Sequence, residues 1–163
     1  VPATLLMLQT LVDVGLFVPV SGTPFALTPM LRESYAAGDT EELEYAAMGE
    51  AARASLRLLS AELDGDPKVM PRRVVVAADI DQVQLRPDLD DAAVTLSGPI
   101  PVAAIAAVHV DLAEAEPAVR AAAAVVDAAD LGDSDAEFIL GDAQDHQMAW
   151  YAPQELPFLL DLL

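Results

Sequence analysis

The apolar side chains of this chain are small. Of its 163 residues 31 are Ala, 23 Leu and 17 Val, against eight Phe, Tyr and Trp together. A core drawn from this stock relies on close approach of helices and strands, because few side chains are bulky enough to bridge a gap. The apolar share of 54% excludes a disordered acidic tail. The length suits one domain with a real core, 1–163. There is no Cys, so disulfides, thiolate nucleophiles and Cys-ligated zinc or iron–sulfur centres are excluded together.

Charge narrows the partners. Asp and Glu number 27 against eight Lys and Arg, a formal charge of −19. Nucleic acids and anionic membranes are held by basic side chains, so neither is an expected partner. The distribution is more informative than the sum. Arg53, Arg57, Lys68, Arg72, Arg73 and Arg86 lie in one central stretch. No Lys or Arg follows Arg120, whereas Asp127, Asp130, Asp133, Asp135, Glu137, Asp142, Asp145, Glu155 and Asp161 do. A solvated, solubilising face explains this run most simply; docking to a basic partner or mimicry of a phosphate backbone is the alternative. The first basic residue is Arg32, so the opening segment lacks the basic region of a signal peptide and a cytoplasmic protein is expected. Pro2, Asp13, Gly15 and Pro19 interrupt the apolar run that a membrane helix would need.

Local patterns alternate between helix and strand. Residues 4–14 have a cap in Thr4, an apolar face and a stop at Gly15. Phe17–Val20 and Phe25–Thr28 flank Ser21-Gly22-Thr23-Pro24, which suggests a small hairpin. Thr28-Pro29 opens a short helix, and Asp39 with Glu42 opens a long one over 40–63 that is buried on most sides and that Gly49 could kink. Arg72–Ala78 is the best strand, followed by Ala93–Ser97, Ile105–Asp111 and Gln147–Ala152. Asp111 with Glu114 reads as the cap of an Ala-rich helix over 114–129, and Ser134 with Glu137 as that of a shorter one. Residues 155–163 form a terminal helix. The order is that of an α/β (α+β) two-layer sandwich, a small mixed β-sheet with helices packed mainly on one face. A doubly wound nucleotide fold would need regular βα alternation and a glycine-rich first turn, and has neither.

The two ends echo each other. Pro2–Leu11 and Pro153–Leu162 align without a gap, matching Leu5 with Leu156, Leu8 with Leu159 and Leu11 with Leu162. Chance similarity of two post-proline amphipathic helices accounts for this as well as a repeat does. If the echo is a repeat, Val1 ends a strand whose first residues lie upstream, and that strand sits centrally, near 147–152.

The segments VPATLLMLQ, PRRVVVAAD, HVDLAEAEPAVRAA and HQMAWYAPQELPFLL together resemble an uncharacterised actinobacterial domain-of-unknown-function family of about this length. The resemblance spans nearly the whole chain and implies a few residues ahead of Val1. It brings no activity, ligand or catalytic residue. The Ala-, Asp- and Arg-rich, Lys-poor composition agrees with such a source.

Candidate chemistry centres on two histidines. His146 lies beside Asp142 and Asp145, ahead of the strand bearing Trp150 and Tyr151. His109 and Asp111 point to one face of their strand. If the strands are neighbours, His109, Asp111, Asp142, Asp145 and His146 could gather as metal ligands or as a proton-transfer set. A polar turn and a satisfied strand histidine are the simpler readings. The acidic run 127–137 lacks the order of a calcium loop. No nucleophile elbow, phosphate loop, H-E-x-x-H or G-x-G-x-x-G motif occurs, and no cofactor is expected. The reading that follows is a non-catalytic cytoplasmic binding or interaction module, a monomer or a homodimer, meeting a protein partner or itself. Trp150, Tyr151, Asp130, Asp133 and Asp135 are its candidate contact residues. A metal-dependent hydrolase or small-molecule enzyme and an acidic mimic are the alternatives.

Overall fold

Helices begin where a side chain can accept a free backbone N–H. Thr4 caps α1 (Leu5–Val14), and Gly15 ends it in the left-handed conformation, φ 80°. Thr28 caps α2 (Pro29–Ser34) with Pro29 in its first turn. Asp39 and Glu42 form the expected reciprocal box at the head of α3 (Thr40–Gly65). α3 runs unbroken through Gly49, around which there is open space. Two caps differ from expectation. Asp111 caps nothing: α4 (Glu116–Asp130) follows a short 3-10 turn at Ala113–Ala115 and has no side-chain cap. Asp133, not Ser134, caps α5 (Ser134–Gln144) by accepting from Ala136 N at 2.9 Å. The last helix is α6 (Leu156–Asp161). The computed structural model describes residues 1–20, 24–26, 28–35 and 37–163.

The strands are β1 (Pro2–Ala3), β2 (Leu16–Phe17), β3 (Val74–Ala78), β4 (Gln84–Leu85), β5 (Val94–Thr95), β6 (Ile100–Pro101), β7 (Ile105–Asp111) and β8 (Met148–Tyr151). Four of them form the main sheet in the order β1-β3-β7-β8, antiparallel throughout. The α+β class is the one indicated by the sequence, but the sheet is antiparallel rather than mixed and helices flank both faces. The β-branched runs of β3 and β7 take the centre, where strands need partners on both sides. β1 and β8 are the edges. The N-terminal strand therefore lies across the sheet from residues 148–151, not centrally beside them. Val1 continues its pairing: its amino nitrogen donates to Val76 O at 2.7 Å and its carbonyl accepts from Val76 N at 2.8 Å.

The described residues of the expected hairpin after α1 make long-range pairs. β2 pairs with β6, and Phe25 bridges Ala93; the turn at 21–23 lies outside the described residues.

Strand alternation divides the core. Val74, Val76, Val108 and Val110 face α1 and α6 and pack with Leu8, Leu11, Leu156 and Leu159. Val75 faces α3, against Ala51 and Ala52. Beyond the sheet, α4 and α5 close over Leu56 and Leu59 of α3 with Val119, Ala122, Ala123, Val126 and Leu140. The small side chains of α4 allow this approach, as its alanine content suggests. Buried Ser55 joins α3 to the sheet: its hydroxyl donates to Ala3 O at 2.7 Å and accepts from Val74 N at 3.0 Å. Among the described residues no helix is long and apolar enough to cross a membrane.

Candidate functional site

Alanines face one another across the interface of α3 and β3. Ala47 and Ala51, both buried, come from the helix and half-buried Ala77 from the strand, while Ala78, after a bulge, packs on the core of the other face. Helix and strand leave space beside these small residues. A cavity of about 600 Å³ results. That size lies within the ordinary range of small-molecule pockets. Val75, Phe25, Ile80, Val94 and Leu96 add to its apolar wall. The polar lining is Glu41, Glu44, Tyr45, Asp79 and His109.

Helical spacing orders this lining. Glu41, Glu44, Tyr45 and Met48 recur at i, i+3, i+4 and i+7, so one stripe of α3 looks over the cavity. It runs from carboxylates near the helix start to Met48 and Ala51 further in. Glu41, Glu44 and Asp79 are exposed, and Tyr45 is 73% exposed, which places the polar end at the mouth.

His109 enters from β7. Its strand neighbours Val108 and Val110 belong to the opposite face; its cross-strand partners are Val75 and Trp150. Partial burial pushes its pKa below the ordinary 6.5. Near neutral pH the ring is therefore an uncharged imidazole with one donor and one acceptor nitrogen.

The metal-ligand set weighed from the sequence is not brought together. Asp111 shares the face of His109, as alternation requires, but its carboxylate is buried under Arg73. It accepts from Arg73 N and Nε at 2.8 Å each and from Nη2 at 2.7 Å. The same Nη2 donates to the backbone carbonyl of His146 at 3.0 Å. This engagement explains why Asp111 caps no helix. His146 does not line the cavity that His109 lines. Asp142 and Asp145 are exposed on the last turn of α5 and at its cap. Among the described residues no three His, Asp or Glu side chains lie close enough to hold a metal ion.

The candidate contact residues separate into used and free groups. Asp130 is held by Arg53 at 2.9 Å and by Arg57 at 2.6 Å, and Arg53 also holds Glu137 at 2.7 Å. These hydrogen-bonded guanidinium groups keep the Asp130 and Glu137 carboxyls below their usual range. Arg53 and Arg57 of the basic central stretch thus pair with the acidic third inside the chain. Asp133 is the α5 cap. Asp135 is exposed, and Trp150 is 63% exposed on the edge strand. Tyr151 turns the other way and packs against the core, the split expected of neighbours on a strand.

Glu41, Glu44, Tyr45, Met48 and Asp79 escape a reading for catalytic motifs. For the four on α3 the signal is the i, i+3, i+4, i+7 stripe, which changes from acidic to apolar along a helix expected to be plain core; Asp79, just after β3, has no such signal.

No curated protein and no solved structure matches this chain. The model of DUF6912, a family of unknown function, matches residues 1–160, and the chain belongs to that family.

Proposed function

We propose that this protein is a non-catalytic module that binds a small, largely apolar molecule in the cavity between α3 and the sheet. The single observation that carries the proposal is the cavity itself, about 600 Å³ with Ala and Val walls and one histidine. Wall groups of this kind bind by burial of apolar surface, with a few polar atoms fixing orientation. Polar groups elsewhere have structural work. Ser55 links α3 to β1 and β3, and Asp111 neutralises Arg73. The Lys-poor composition supports an actinobacterial source.

A neutral environment-sensitive dye such as Nile red tests this reading. Saturable fluorescence enhancement is expected in the native protein. It should be lost in Ala51→Leu and Ala77→Leu, with the circular dichroism spectrum and cooperative unfolding retained. Equal enhancement in both variants would mean that the dye sits elsewhere and the cavity is not the binding site.

A second reading, docking of a basic protein partner, is favoured by one face of α5. Asp135, Phe138, Asp142 and Asp145 recur at i, i+3, i+7 and i+10, and Phe138 is 75% exposed. An exposed aromatic among carboxylates suits a basic segment with an apolar anchor. Affinity capture on wild type and Phe138→Ser, at low and high salt, separates a specific partner from attraction to net charge.

A further inference from the structure

From the arrangement of charge in the cavity, we infer that its ligand is an amphipathic organic cation: a protonated amine carried on an apolar body. The inference rests on the reading of the cavity as a binding site and adds the chemical class of the ligand.

Three observations converge. First, among the described residues the lining has no Lys or Arg side chain, but has Glu41 and Glu44 on one wall and Asp79 on another. His109, whose pKa burial lowers, is uncharged near neutral pH. An anionic ligand would meet three carboxylates without a counter-charge, at an added cost from the −19 of the whole chain. Second, polarity is graded rather than scattered. The carboxylates are exposed at the mouth, while Met48, Ala51 and Val75 lie further in. A molecule with one charged end and one apolar end satisfies both. Third, a bare metal ion does not meet this need, since the described residues offer no group of three ligating side chains close enough to hold one. An ammonium is less demanding: it is a compact charge with several N–H donors and can be shared among carboxylates without fixed coordination. Exposed Tyr45, one helical turn from Glu41 and next to Glu44, adds an aromatic face suited to a cation.

Three ligands with the same eight-carbon body test the class: n-octylamine, n-octanol and octanoate. Each would displace Nile red from the full chain, at low and at high salt. The amine is expected to bind at least tenfold tighter than the alcohol at low salt, with octanoate weaker than both. Salt should narrow the gap between amine and alcohol. The triple variant Glu41→Gln/Glu44→Gln/Asp79→Asn should bring the amine to the level of the alcohol. A variant with the same charge change elsewhere, Asp135→Asn/Asp142→Asn/Asp145→Asn, should keep the preference. Equal binding of amine and alcohol by the native protein would overturn the cation assignment while leaving the cavity as a binding site. Loss of the preference in both triple variants would assign it to the overall field and overturn the inference as well. Failure of the dye to bind at all would remove the binding reading and this inference together.

Discussion

The two faces of the main sheet carry residues from the same strands but meet different helices. On one face Val74, Val76, Val108 and Val110 meet Leu8, Leu11, Leu156 and Leu159 of α1 and α6, and the interface closes. On the other, Val75 packs on Ala51 and Met48 of α3, and beside Ala77 and His109 a cavity remains. The strands are β-branched or small on both faces, so the size of the helix side chains decides the outcome. A leucine spans the helix-to-sheet gap and an alanine does not. The open side is held in place by polar ties instead: Ser55 to β1 and β3, Arg73 to Asp111, and Arg53 and Arg57 to the ends of α4 and α5.

The comparison can be broken first at the buried ion pair. Arg73→Met leaves the Asp111 carboxylate buried without its partner and is expected to cost about 4 kcal/mol. The double variant Arg73→Met/Asp111→Leu should regain most of this, measured by denaturant unfolding. An equal loss in both would show that the pair is not what holds that end of the sheet. On the closed face, Leu156→Ala removes a fully buried side chain and should cost about 3 kcal/mol through lost transfer energy and a new void. A loss under about 1 kcal/mol would mean that this face is not close-packed.

Smaller effects sharpen the picture. Arg53→Met removes four hydrogen bonds to Asp130 and Glu137 and should cost about 1–2 kcal/mol at low salt. The loss should shrink as salt rises; a salt-independent loss would point to packing by the side-chain stem. Filling the open face with Ala77→Leu should change stability by less than about 1 kcal/mol, because added methylenes enter existing space rather than a packed core. The smallest effect concerns His109. Its folded pKa lies below the unfolded value of 6.5, so the unfolded chain takes up the proton more readily. Its contribution is whole above about pH 6.5 and is lost as pH falls through the folded pKa. His109→Gln should therefore lose less stability than wild type between pH 7.5 and 5.5. A larger loss in the variant would reverse the sign of that linkage.

Much of the fold was legible because its signals are local. Thr4 with Gly15, Thr28 with Pro29 and Asp39 with Glu42 each fix a helix end within a few residues, and the runs of β3 and β7 announce the central strands. Pairing was not legible. Nothing near Leu16 indicates Ile100, and the echo between the chain ends gave no sign that they hold opposite edges. The site was hidden for a different reason. A cavity depends on two small residues facing each other across space, and Ala51 reads the same in a tight interface as in an open one. Asp111 shows the reverse error: beside His109 it suggested chemistry, but Arg73, remote in sequence, claims its carboxylate.

The contrast between the faces is most directly observed by methyl NMR. Protein labelled at Ala, Val and Leu methyls would be titrated with n-octanol, which carries no charge. Shifts are expected at Ala47, Ala51, Ala77 and Val75, with Leu8, Leu11, Leu156 and Leu159 unmoved. Shifts spread over the α1–α6 face, or no saturable shift at the alanines beneath α3, would contradict the account of an open, ligand-binding face opposite a closed one.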